Sequence, residues 1–371
     1  MDRRTFIRAS GLAAIAAGET LAGPARAQGV GAPALGGGIK EVRLVSAWPR
    51  GLPGLSEGAE RLARRITAIS GGRLRVKAFP AGEPVPASGC FDSVASGNAE
   101  MYHAAESMWD KRHKAFPFFA SVPLGMTAHE LSAWVHFGGG QALWDELSAR
   151  FGIKAMLAGN SGVQMGGWYK EPIQTLAQIK ALKMRIPGLG GEVIERLGGE
   201  ASNLDGPEIL PAIKSGRLNA AEWIGPWNDR ELGLQTLLRH YMFPGFHEPG
   251  TGISLGVNKA FWDDLSAEEQ EIVKSAAAAE NDVMTAQFNA RNAEALAALT
   301  GTDGVTLSIF PKEVWSQIAR VAQEVVLEIG RADPLADRIL RSWAGFQKRV
   351  SEWQQISDVS YTAYRALALK Y

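Results

Sequence analysis

Asn160-Ser-Gly-Val-Gln164-Met-Gly-Gly-Trp168, Lys183-Met-Arg185-Ile-Pro187-Gly-Leu-Gly190, Ala221-Glu222-Trp223-Ile-Gly-Pro226-Trp227 and Tyr241-Met-Phe-Pro244-Gly-Phe-His247-Glu248 all lie between residues 160 and 250. In each, a polar or charged side chain stands beside Gly or Pro, where an extended chain has to turn. Ligands of open α/β sheets sit outside the carboxyl ends of the strands, at such turns. One cation (Arg185), one carboxylate (Glu222) and a few oxygen-bearing and aromatic groups read together as a pocket for a small anion. They come from separate segments, so the fold must assemble them. The expectation is a carrier, not a catalyst.

The surrounding pattern alternates strands and helices. Glu41–Trp48, Leu74–Phe79 and Glu100–Ala105 read as strands, with helices over Ser56–Ser70 and residues 88–97 between them. Further strands are expected at Lys154–Gly159, Gln164–Tyr169, Leu182–Ile186 and Ala220–Ile224. Such alternation implies βαβ units and a mainly parallel sheet. From Ser266 to Leu299 an Ala-rich helical pattern follows, then helices over Pro311–Ile329 and Pro334–Leu369. In the last, Trp343, Phe346, Val350, Trp353, Ile356, Val359 and Tyr364 mark one apolar face at helical spacing. That pattern alone favours packing on the chain's own body over packing on a partner.

At 371 residues the chain has room for two domains. Lys plus Arg and Asp plus Glu balance at 39 each, so charge points neither to nucleic acid nor to an acidic membrane surface. Cys90 is the single cysteine, which excludes an intramolecular disulfide and a multi-cysteine metal site. Arg3-Arg4-Thr5-Phe6, a mild apolar run and Ala25-Arg26-Ala27 predict a twin-arginine export signal over residues 1–27, with a flexible linker over 28–38. A soluble periplasmic protein is expected.

The chemical groups each carry a plain reading beside the functional one. Arg185 offers a planar fork for a carboxylate, or forms a surface ion pair. Gln164, among Gly162, Gly166 and Gly167, offers an amide to a ligand or a hard cation, or is an ordinary edge-strand residue. Glu222 interrupts an apolar stretch, so it is paired with an Arg or bound to a metal, because burying it alone is costly. With Glu248 a second carboxylate is available to Na⁺ or Ca²⁺, which take oxygen ligands. The six His show no zinc spacing, and dinucleotide, P-loop and nucleophile-elbow motifs are missing or incomplete. His103 and His247 are the acid–base candidates nearest the pocket, and neither has an evident partner.

The four quoted segments, in that order, resemble the periplasmic substrate-binding proteins of TRAP transporters, and most of all the branch that binds 2-oxo acids or lactate with a metal ion. Weaker similarity runs through Ala120-Ser-Val-Pro-Leu-Gly-Met-Thr127 and Phe137-Gly-Gly-Gly-Gln141. The resemblance implies a two-lobed α/β fold with mixed sheets flanked by helices, a hinged cleft and a long C-terminal helix. Residues 39–160 plus about 248–285 would form lobe I, and 161–247 plus about 286–371 lobe II with a dimerisation helix. It also implies that Arg185 clamps the substrate carboxylate and Gln164 meets both substrate and metal. Glu222, the Trp223 main chain and Glu248 would complete the Na⁺ or Ca²⁺ site, with Asn160, Trp109 and Trp223 contacting the acid. Where relatives tend to carry Tyr-Tyr-Trp and then Gly-Lys, this chain has Ser107-Met108-Trp109-Asp110-Lys111, which implies a reshaped substrate wall. The implied partners are TRAP permease subunits and a second copy of the chain in a swapped dimer. The alternative is a periplasmic lyase or hydrolase, or a sensor subunit, on the same scaffold.

Overall fold

The computed structural model describes residues 38–369; the expected signal and nearly all of the expected linker lie outside them. Among the described residues the strands are, in chain order, β1 (Lys40–Ser46), β2 (Leu74–Phe79), β3 (Met101–Ala105), β4 (Ile153–Asn160), β5 (Gly167–Tyr169), β6 (Lys183–Arg185), β7 (Glu200–Ser202), β8 (Ala220–Ala221), β9 (His240–Phe243), β10 (Gly252–Asn258) and β11 (Thr306–Ile309). They form two sheets, ordered β2-β1-β3-β10-β4 and β11-β9-β5-β8-β6-β7.

The mainly parallel sheet that alternation suggested is corrected. Each sheet carries one reversed strand in its interior: β10 runs antiparallel to β3 and β4, and β5 antiparallel to β8 and β9. Apolar periodicity reports burial and not strand direction. The mixed-sheet, two-lobed fold implied by the resemblance is what the chain adopts.

One helix ties the two sheets together. Ser266 caps it, its hydroxyl accepting from the Glu269 N–H at 3.1 Å while the Glu269 carboxylate accepts from the Ser266 N–H at 2.9 Å. Ala267–Gly301 then runs 35 residues. Val273, Ala276 and Ala277 pack on the first sheet, Met284 and Phe288 on a central cluster with Leu55 and Ala105, and Leu299 on the second sheet. The helix lies close enough to β4 that a Cβ at Gly159 would stand 2.4 Å from the Met284 sulfur. Among the described residues no helix is long and apolar enough to cross a membrane.

The C-terminal region departs from the expected grouping with lobe II. Asp333 caps the helix Pro334–Gln354 by accepting from the Leu335 and Ala336 N–H groups, and Val326, Ile329, Leu335, Ile339 and Trp343 sit in the first sheet's core cluster with Trp134 and Phe118. The apolar face packs on its own body only as far as Trp343 and Phe346. Beyond a π turn at Gln355–Val359, the helix Ser360–Ala368 stays unpacked, with Tyr364 75% and Leu367 80% exposed.

Candidate functional site

The site starts at two parallel strand ends. β6 and β8 pair in a register that puts Arg185 beside Ala221, so Glu222 emerges next to the guanidinium. The Glu222 N–H continues the ladder to the Arg185 carbonyl at 2.9 Å, and the ladder stops there. The N–H groups of Ile224 and Gly225 turn instead to the Asp229 carboxylate, so the strand expected over Ala220–Ile224 ends at Ala221. β5 likewise begins only at Gly167 and leaves Gln164 in a loop.

Arg185 and Glu222 are 7% and 3% exposed. Arg185 Nη1 donates to Glu222 Oε1 at 2.5 Å and to the Glu222 carbonyl at 2.9 Å, and its Nε donates to the Leu204 carbonyl at 3.1 Å. Its guanidinium lies over the Trp223 ring at 4.8 Å. Among the described residues its Nη2 donates to no protein acceptor. The ion-pair alternative for Glu222 is therefore realised, and its partner is the very cation expected to hold the substrate.

The loop after β9 closes the other side. The backbone threads tightly there: Gly245 N–H donates to the Gln164 carbonyl at 3.1 Å, and a Cβ on Gly245 would lie 2.5 Å from that oxygen. The Gln164 N–H donates to the Glu248 carbonyl at 3.2 Å, and Gln164 Nε2 to Glu248 Oε2 at 2.6 Å. Thr251 Oγ1 donates to the same Oε2 at 2.6 Å. Asn160 shapes this loop, accepting from the Gly162 N–H at 2.8 Å and donating to the Gly250 carbonyl at 3.4 Å.

His247, which has no evident partner in the sequence, has one here: its Nε2 lies 3.0 Å from Glu222 Oε2. Burial lowers its pKa, but the Glu222 charge and hydrogen bond outweigh that and hold it above the ordinary histidine value. Burial, then the like charge of Glu222, pushes Glu248 above the usual carboxylate range. His103, the other acid–base candidate, is clamped between Trp48 Nε1 and the Ala158 carbonyl, and burial lowers its pKa to about 4.

The structure thus brings together Asn160, Gln164, Arg185, Glu222, Trp223 and Glu248. It does not bring Trp109 to them. That residue, expected against the acid, is buried in the first sheet's core, 5.3 Å from Phe91 and 5.7 Å from Tyr102 between ring centroids. Thr251 and Asp229 are the additions, and no local pattern announces them; His247, an acid–base candidate from the sequence, gains a partner.

The donor set suits a hard cation. Gln164 Oε1 is buried without a hydrogen-bond partner, beside Glu248, whose charge is raised in energy by the nearby Glu222. An oxygen without a donor, next to a carboxylate that a second carboxylate repels, is an arrangement a cation relieves. Among the described residues no three His, Cys, Asp or Glu are grouped to hold a metal ion, so a cation here would need amide and main-chain oxygens besides carboxylates.

Comparison with known proteins gives the family. Residues 48–333 match the DctP family, bacterial extracellular solute-binding protein family 7. The chain is 36% identical over 319 residues to the monocarboxylate 2-oxoacid-binding periplasmic protein of Nostoc sp., covering 86% of this chain and 87% of that one. It is similar to the TRAP transporter solute-binding protein of Bordetella bronchiseptica (32% identity, TM-score 0.85, 89% and 98% of the two chains), a mixed-occupancy dimer with copurified calcium and picolinate. A TRAP periplasmic solute-binding protein of Pseudoalteromonas atlantica with bound sodium and pyruvate is 33% identical, with TM-score 0.83 over 88% and 99%. The chain therefore belongs to the DctP family of TRAP solute-binding proteins, which are receptors and not enzymes.

Proposed function

We propose that this chain is the periplasmic receptor that captures a small 2-oxo or 2-hydroxy carboxylate together with Na⁺ or Ca²⁺ and delivers it to a TRAP permease. Arg185 takes the acid's carboxylate through Nη2. Gln164 Oε1, Glu222, the Trp223 carbonyl and Glu248 would hold the ion, which would supply positive charge to the acid's remaining oxygens. The observation that carries this reading is the orphaned Gln164 Oε1 beside Glu248, whose charge feels the buried Glu222–Arg185 pair. The ions and acids named for the Bordetella and Pseudoalteromonas proteins support it.

A thermal-shift screen tests it, with 2-oxo, 2-hydroxy, sugar and amino acids, each with Ca²⁺, with Na⁺ and with EDTA. A ligand bound only by the folded state raises the melting temperature by mass action, about 2.7 kcal/mol at a hundredfold excess over Kd. A 2-oxo or 2-hydroxy acid should give the largest shift, and EDTA should remove it where Ca²⁺ is the ion. Shifts by amino acids alone, indifferent to both ions, would sink the reading.

Residues 1–27 are assigned as the twin-arginine signal and 28–38 as the linker. The exposed Trp353, Ile356, Tyr364 and Leu367 are assigned to a dimer contact. Protein recovered from the periplasm should begin after Ala27 and sediment as a dimer, and truncation before Trp353 should leave a monomer that still binds acid. A full-length monomer would remove the dimer assignment.

A further inference from the structure

Asp229 is 2% exposed, and among the described residues it has no cationic partner. Four donors hold its carboxylate. Oδ2 accepts from Trp168 Nε1 at 2.8 Å and from the Tyr241 hydroxyl at 2.7 Å, and these two rings stack at 4.0 Å. Oδ1 accepts from the backbone N–H groups of Ile224 and Gly225, both at 2.9 Å. The group is therefore rigid on one side and grips a turn on the other.

That turn follows Glu222 directly. Its near end is pinned by the Glu222 N–H on the Arg185 carbonyl, and the Glu222 carbonyl is taken by Arg185 Nη1. The Trp223 carbonyl accepts no hydrogen bond from the described residues. A trans peptide is planar, with its C=O and N–H pointing in opposite directions. Because the Ile224 N–H points at Asp229, the Trp223 oxygen points away from it.

We infer that Asp229 is a positioning residue that aims the Trp223 carbonyl at the bound cation and, by polarising the shared peptide group, strengthens it as a ligand. The inference rests on the metal reading proposed above. Groups that orient a ligand in this way typically contribute 10–100-fold to metal affinity.

The test is calorimetric titration of the mature full-length protein with Ca²⁺ and, separately, with Na⁺, no acid being present. Asp229→Asn fills the same volume but sets an N–H against one of the two donor pairs. It should bind the ion about 10-fold more weakly or worse. Leu234→Ala, in the core cluster of Trp168 and Tyr241 but not a hydrogen-bond donor to the carboxylate, separates aiming from general loosening. It should lower the melting temperature and leave ion affinity as in the wild type. Equal affinity in Asp229→Asn overturns the role of Asp229, and so does an equal loss in Leu234→Ala. Failure of the wild type to bind either ion overturns the metal reading itself, and the role of Asp229 with it.

Discussion

Arg185→Ala abolishes acid binding while the protein stays folded, as calorimetry with the best acid of the screen and circular dichroism will show. The guanidinium is buried, so it meets a substrate carboxylate with little competition from water. Truncating one partner of such a desolvated pair costs about 2–5 kcal/mol, a loss of roughly 30- to 4,000-fold in affinity. The same change strips Glu222 of its Nη1 donor and leaves it only His247, so a lowered melting temperature accompanies the loss. Arg185→Lys keeps the charge and recovers little. Arg185 reaches the Leu204 carbonyl through Nε and the Glu222 carboxylate and carbonyl through Nη1, with Nη2 left for the ligand. A single ammonium cannot cover that fork. Acid affinity unchanged in Arg185→Ala would remove this residue from the site.

Glu222→Gln weakens ion and acid together. Each Glu222 oxygen already accepts from a donor, Oε1 from Arg185 and Oε2 from His247. Glutamine replaces one oxygen with an N–H, which must face one of those two donors. If it faces Arg185, the guanidinium shifts off the acid; if it faces His247, the imidazole must switch to the tautomer that accepts at Nε2. In both cases half of the charge opposing the cation is gone. Ion affinity should fall at least ~10-fold, the lower end of what mutation near a bound metal costs. Acid affinity measured at saturating ion should fall too, because the same carboxylate aims Arg185. Loss of acid binding with ion affinity intact would contradict a shared site.

Much of this site was legible because its chemistry is local. Arg185 before Ile-Pro-Gly and Glu222 after Ala-Ala stand at strand ends, and their residue types are costly to bury without a purpose. Asn160, Gln164 and Glu248 carried less signal by themselves, and their grouping came from the order of four segments. Trp109 was misread because a tryptophan's identity does not tell a cleft wall from a core; Phe91 and Tyr102 enclose it. His247 stood out only as an acid–base candidate without a partner, and Asp229 did not stand out at all. The Glu222 carboxylate that meets His247 lies 25 positions away, and the Trp168 and Tyr241 donors of Asp229 lie 61 and 12 positions away.

The amino-acid sequence by itself located β1 to β6, β8 and the long helices within a few residues, through apolar periodicity and Gly–Pro punctuation, while β7, β9, β10 and β11 emerged only in the fold. It also placed Arg185 and Glu222 at turns after strands, from which a pocket for a small anion was expected. Only the tertiary structure decided strand direction, because hydrogen-bonded pairing is not written in side-chain periodicity. It alone paired Glu222 with both Arg185 and His247. It alone left the Gln164 oxygen buried without a donor and ran the helix Pro334–Gln354 back onto the first sheet. Those outcomes depend on which distant groups share one dehydrated volume, and that is set when the chain closes on itself.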